Sequence, residues 1–220
     1  CSFLEFSEIS GPIFVKFGQI LSTRQDMLPP DIIKELSKLQ DKVPPFSSEK
    51  AQKIIEKSLG KPINDVFDDF SPKALASASI AQVHAAKLKD GREIIIKVLR
   101  PNVHKIMTQD LEILEAMAKS AERFNKVARK MNILALVREA KNHMLHELNL
   151  MREAASACQL RRNFKDHKFL YIPEVHWPHC RENIMVMEKI SGIPIHDVAA
   201  LKAKKVDMQV LAERGIEIFY

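Results

Sequence analysis

An α+β fold built on an antiparallel sheet is predicted by three observations on this 220-residue chain. Apolar residues recur at helical spacing through the first 60 positions. Two pairs of extended runs follow, the first joined by Lys89-Asp90-Gly91. Long helical stretches separate the pairs. The order helices, hairpin, helices, hairpin, helix lacks the regular strand–helix alternation of a parallel sheet.

Each element has its own warrant. Ser10-Gly11-Pro12 is a helix start, with Pro in the first turn. Ile13, Phe14, Phe17, Ile20 and Leu21 then form one apolar arc. Met27-Leu28-Pro29-Pro30 ends that helix, and a second over 31–41 buries Ile32, Ile33, Leu36 and Leu39. Pro44-Pro45 breaks again, after which Ser47 or Ser48 caps a third helix that ends at Gly60. From Phe67 the texture changes. The runs 79–88 and 92–99 make a hairpin, since Asp-Gly between extended runs suits its tight turn. Ile94-Ile95-Ile96 is β-branched, as a half-buried strand prefers, and Arg100-Pro101 stops it. Ile106, Leu111, Leu114, Met117, Ala121 and Phe124 mark one long helix. Val137, Ala140, Met144, Leu148, Ala155 and Cys158 mark another, from about 133 to 164. The runs 169–176 and 183–190 read as a second strand pair, linked through Trp177-Pro178-His179-Cys180. Gly192-Ile193-Pro194 leads to a last helix from about Asp207.

Composition narrows the function. Thirty-four Lys and Arg against 28 Asp and Glu give a net charge of +6, spread over the clusters Lys126/Arg129/Lys130, Arg161/Arg162 and Lys202/Lys204/Lys205. With aromatic residues at 6%, stacking platforms for nucleic acid are scarce, so no nucleic-acid partner is expected and the clusters read as solvated faces. A negatively charged membrane surface is the second reading for them. Three cysteines (Cys1, Cys158 and Cys180) are too few for a disulfide framework and point to a reducing compartment. No apolar run reaches the length of a bilayer span. A chain that starts at Cys1 and stops at Tyr220 inside a helical pattern reads as a piece of a longer protein.

Chemistry concentrates at a few positions. Lys97 lies in a strand otherwise made of Ile94, Ile95, Ile96, Val98 and Leu99, where an ammonium is costly unless it meets a partner or reaches water. Glu153, on a long helix after the hairpin, is the natural partner. A strand lysine paired with a helix glutamate is how kinases hold a lysine against nucleotide phosphates; the plainer reading of Glu153 is a surface glutamate paired with any nearby cation. Leu75, Ala76, Ser77, Ala78, Ser79, Ile80, Ala81, Gln82 and Val83 precede Lys97 where a kinase carries its glycine-rich loop. Small side chains let a backbone approach a phosphate, although alanine and serine are stiffer than glycine. Lys16 and Gln19 share one side of the first helix. His176, His179 and Cys180 have metal-like spacing without a second ligand pair, and His143 and His146 before Glu147 read as an exposed helix face.

Together these residues resemble the UbiB family of atypical protein-kinase-like proteins of ubiquinone biosynthesis. The resemblance rests on Gly11-Pro12 with Lys16-Phe17-Gly18-Gln19 (the K-x-G-Q motif), Leu21-Ser22-Thr23-Arg24, Leu28-Pro29-Pro30 and the alanine-rich segment from Leu75 to His84. Ile96-Lys97-Val98, Arg100-Pro101, Glu147-Leu148-Asn149, Arg152-Glu153-Ala154 and Met185-Val186-Met187-Glu188 continue it in order, and the stretches 160–175 and 197–201 look like the proteobacterial branch. The resemblance implies a kinase-like N-terminal lobe at 63–190, preceded by a helical extension at 1–62 and followed by the start of a C-terminal lobe at 191–220. It implies ATP and Mg²⁺ as cofactors, with the segment 75–83 wrapping the nucleotide, Lys97 on its α/β phosphates and Glu153 holding Lys97. Glu188 would close a hinge strand at the adenine, and Lys16 and Gln19 would fold over the cleft. The catalytic Asp is expected beyond Tyr220, so no metal ligand is expected within 1–220, and this piece alone would bind ATP weakly without turnover. The whole protein would act as a kinase or ATPase at the cytoplasmic face of the bacterial inner membrane, with ubiquinone-biosynthesis proteins or lipid intermediates as partners. The alternative is a non-catalytic scaffold or lipid-binding module. One departure stands out: the family's E-x-D motif ends here in Asn149, an amide that retains hydrogen bonding but not the carboxylate charge.

Overall fold

A computed structural model describes residues 44–219. The two helices expected before Pro44 lie outside the described residues. The third is α1 (Ser48–Leu59), with Ala51 and Ile55 fully buried. It stops where expected: Gly60 adopts φ +70°, and its N–H donates to the Glu56 carbonyl at 2.8 Å. A single turn, α2 (Ile63–Val66), then leads into the sheet.

Four strands, β1 (Phe67–Ser77), β2 (Ala81–Leu88), β3 (Glu93–Leu99) and β4 (Ile184–Glu188), form one antiparallel sheet in that spatial order. The β2–β3 hairpin turns at Gly91 (φ +90°) and pairs Ala81 with Leu99 through to Lys87 with Glu93. Side chains alternate along β3: Ile94, Ile96 and Val98 are fully buried, and Lys97 points to the other face. Behind the hairpin run α3 (Val103–Phe124), α4 (Lys126–Lys130), α5 (Ile133–Glu147) and α6 (Leu150–Asn163). The chain closes with α7 (Val198–Ala203) and α8 (Met208–Phe219), whose first turn is capped by Asp207 accepting from the amides of Gln209 and Val210.

Three expectations are corrected. The segment 67–77 forms an eleven-residue strand. Its polar Asp68-Asp69 and Pro72 hid it, but they suit an irregular edge strand with register shifts. The single helix over 133–164 is two helices. The break is at Asn149, whose Oδ1 accepts from the Met151 amide at 3.0 Å and starts α6 anew. Finally, 169–176 is not a strand. Only Val175 bridges Met187, and Pro173 has no N–H to extend a ladder. The Trp177–His179 stretch is a 3₁₀ turn.

A buried polar chain ties these layers together. Gln82 donates to the Phe46 carbonyl at 3.3 Å and accepts from the Phe46 amide at 3.0 Å. Its remaining N–H donates to Nε2 of the fully buried His84 at 2.8 Å. The imidazole therefore carries its proton on Nδ1 and donates to the Ser71 carbonyl at 2.9 Å. Burial holds His84 below the usual histidine range, although the Ser71 contact opposes it, and burial likewise lowers His176 and His179. The unfolded chain thus takes up these protons more readily than the native one. Their contribution to stability is fully present above about pH 6.5 and is lost as the pH drops from there through the lowered native values. Urea midpoints at pH 7.5, 6.5 and 5.5 are expected to fall in that order, with a shallower fall in His84→Gln. Equal midpoints would remove the histidines from the acid sensitivity.

Candidate functional site

The strand lysine and the helix glutamate meet. Lys97 Nζ donates to both carboxylate oxygens of Glu153 at 2.7 Å. β3 holds the lysine on the face opposite its buried isoleucines. α6 presents the glutamate in its first turn because Asn149 restarts the helix there, with Leu148 and Leu150 fully buried on either side. The pair is wetted: the lysine side chain is 28% exposed and the glutamate 46%.

The pair opens onto a cavity of about 680 Å³, within the roughly 300–1,000 Å³ common for small-molecule sites. Ala78, Ser79, Ile80 and Ala81 line it, together with His143, His146 and Glu147 of α5 and Arg152 and Ser156 of α6. The 78–80 turn is tightly held. The Ala78 amide donates to the Ala81 carbonyl at 2.8 Å, and the Arg100 amide donates to the Ile80 carbonyl at 2.8 Å. The side chains at 78 and 79 are no larger than serine; Ala78 is half-buried and Ser79 is 1% exposed. Two cations, Lys97 and Arg152, and two carboxylates, Glu147 and Glu153, line the cavity, so the charges of its lining balance.

The structure brings together some of the expected residues and not others. Lys97, Glu153, Ala78, Ser79, Ile80 and Ala81 share the cavity. Leu75, Ala76 and Ser77 belong to β1 and do not line it; Leu75 is 57% exposed. Gln82 and Val83 continue β2, with Gln82 committed to Phe46 and His84. Glu188 lies opposite Ile94 at the far end of β4, away from the cavity. Its carboxyl accepts from the Tyr171 hydroxyl and the Glu174 amide, which hold it below the usual carboxylate range. The Val186 carbonyl and Glu188 amide are likewise turned to His176 and Glu174. Lys16 and Gln19 lie outside the described residues.

His143 and His146 lie on an exposed helix face, as the sequence predicts, yet they also line the cavity; a lining role for them, for Arg152 and for Ser156 was not foreseen. Their signal was present: 143, 146 and 147 share a helix face, and 156 follows 153 by one turn. The His176/His179/Cys180 trio is otherwise engaged. The Cys180 thiol faces the His176 and Val186 carbonyls, burial raises its pKa, and His179 tilts against Phe67. Among the described residues no group of three or more His, Cys, Asp or Glu is placed to hold a metal ion, and no helix is long and apolar enough to cross a membrane.

A four-stranded antiparallel sheet whose third strand pairs a lysine with a carboxylate from a packed helix, beside a small-residue turn, defines a protein-kinase-like N-terminal lobe. The chain belongs to the ABC1 atypical kinase-like family, whose domain matches residues 38–220. It is 54% identical over 214 residues to the "Probable protein kinase UbiB" of Aeromonas hydrophila, covering 97% of this chain and 39% of that protein. The protein of the same name from Pseudomonas putida is 50% identical over 210 residues, 96% of this chain and 39% of its own. The chain thus spans about two fifths of the length of these relatives. A solved structure described as the complex structure of Rv3197-erythromycin from Mycobacterium tuberculosis superposes with a TM-score of 0.60 at 26% identity, over 82% of this chain and 45% of that one.

Proposed function

We propose that this chain is the ATP-binding part of an atypical kinase-like protein which, at full length, transfers or hydrolyses the terminal phosphoryl group of ATP in support of ubiquinone biosynthesis. The observation that carries this reading is the two-point contact between Lys97 and Glu153 at the cavity. An ammonium held by a carboxylate is pre-oriented, so its remaining N–H is available to a phosphate oxygen without a search through rotamers. Ala78, Ser79, Ile80 and Ala81 line the same cavity.

Mg²⁺ bound with the nucleotide would neutralise phosphate charge. Glu147 is the carboxylate of this chain, besides Glu153, that lines the cavity. Asn149 points instead into the helix cap, so it would act through α6 rather than on the ion. Lys16 and Gln19 would close over the cleft, and the general base would be supplied from beyond Tyr220. In this reading 1–62, 63–190 and 191–220 are the extension, the nucleotide lobe and the start of the second lobe, and the whole protein works at the cytoplasmic face of the inner membrane.

Titration calorimetry of the full-length protein with Mg-ATP, followed by phosphate release, is the test. Saturable binding with turnover is expected. Absence of both, in a protein that still supports ubiquinone synthesis in cells, would replace this reading with a scaffold.

A further inference from the structure

The turn at 78–80 carries no glycine, yet it must sit at a defined height over the cavity, and one residue holds it from behind. Arg100 follows the last residue of β3, three positions after Lys97. Its Nε donates to the Ala78 carbonyl at 2.9 Å, and its Nη2 donates to Ser77 Oγ at 2.8 Å. With its own amide on the Ile80 carbonyl, it binds the turn on two sides. The same Nη2 donates to the Pro44 carbonyl at 2.9 Å, and the guanidinium lies 5.7 Å from the centre of the Phe46 ring. Neither Pro44 nor Phe46 lines the cavity. Only a planar fork with several fixed donors serves acceptors arriving from two chain segments at once; a lysine in its place would keep the charge and lose the geometry.

We propose that Arg100 is a positioning residue that references the 78–80 turn to the strand bearing Lys97 and makes the height of that turn depend on the segment at 44–46. The nucleotide site would then sense whatever holds the chain just before α1, through a residue that touches no ligand. The binding arm of the test rests on reading the cavity as a nucleotide site; the exchange arm does not.

The variants are Arg100→Ala, Arg100→Lys, Ser77→Ala and Phe46→Ala, made in the full-length protein. In the absence of nucleotide, hydrogen exchange at the amides of 78–81 is expected to accelerate in Arg100→Ala and to be only partly restored in Arg100→Lys. Unchanged exchange there overturns the proposal whether or not ATP binds. With Mg-ATP, Arg100→Ala should raise Kd about tenfold, as expected for lost charge-assisted hydrogen bonds. Phe46→Ala, which keeps the backbone pair with Gln82, should raise it about threefold in the Arg100 background and not at all with Arg100→Ala. A residue that merely stabilised the fold would lower the melting temperature and leave the Kd of folded molecules alone. Additive effects of Phe46→Ala and Arg100→Ala, or a Kd indifferent to Phe46, overturn the coupling. Accelerated exchange in Arg100→Ala, together with a wild-type protein that does not bind ATP, would uphold the positioning role and reject the nucleotide reading. Should Arg100→Ala fail to fold, Arg100→Lys and Ser77→Ala carry the same comparison.

Discussion

Lys97→Met in the full-length protein is expected to abolish the thermal stabilisation given by Mg-ATP and to lower turnover about 100-fold or more, while the melting temperature without nucleotide moves by only a few degrees. The two halves of this expectation follow from different magnitudes. As a structural contact, the pair with Glu153 is partly exposed on both sides, and ion pairs of that kind contribute about 0.2–1 kcal/mol to folding. At roughly 2–4 °C per kcal/mol for a chain of this size, that is at most about 4 °C. The glutamate left behind is 46% exposed and remains hydrated, so no buried charge is stranded. As a catalytic contact, the same ammonium would meet phosphate charge inside a partly enclosed cavity, where losing one oriented donor costs about 10²–10³ in rate. Differential scanning fluorimetry with and without Mg-ATP, and phosphate release under saturating nucleotide, separate the halves. Hydrolysis that survives in Lys97→Met would take the phosphate role away from this residue.

Why some of this could be read from the chain and some could not is a matter of range. Lys97 announced itself because a charge within an isoleucine-rich strand demands a partner, and the demand is local to the strand. Gly60 and Lys89-Asp90-Gly91 were legible for the same reason: a left-handed C-cap and a tight hairpin each leave their mark within a few residues. The break at Asn149 was not legible. Met144, Leu148 and Ala155 keep one helical period on both sides, and the asparagine becomes a cap only once the Leu150 amide has turned to the Glu182 carbonyl. β1 was missed because an edge strand exposes most of its residues and needs little apolar alternation. The Gln82 side chain looked like part of a phosphate-binding loop; its partners, Phe46 and His84, are set by the pairing of distant segments and by β-sheet register. Arg100 read as a strand terminator because its acceptors at Pro44, Ser77 and Ala78 come together only in the folded sheet. Glu188 falls away from the cavity because register with Ile94, not sequence order, fixes its position.

Ile96→Ala should produce the converse of Lys97→Met: a large loss of stability with an unchanged site in the molecules that remain folded. Ile96 is fully buried in a central strand, directly opposite His84 on β2 and Val186 on β4, both fully buried as well. Removing three carbons there costs the transfer free energy plus the cavity left behind, about 2–5 kcal/mol. With roughly 2–4 °C per kcal/mol at this chain length, the melting temperature should drop by about 4–20 °C. The void would adjoin the Gln82–His84–Ser71 chain, so relaxation into it would have to disturb buried hydrogen bonds; this places the cost toward the upper end of that range. Ile96→Val, which leaves most of the volume filled, should cost about 1 kcal/mol. Because neighbouring residues on a strand face opposite ways, the Lys97 side chain keeps its side of the sheet, and the Kd for Mg-ATP measured well below the transition should match the wild type. Chemical denaturation gives the first quantity and calorimetry the second. A melting temperature within 2 °C of wild type would contradict the placement of β3 at the centre of the core. Loss of nucleotide binding in folded Ile96→Ala would mean that Lys97 is held by packing across the sheet, and the pair with Glu153 could no longer be treated as the element that orients it.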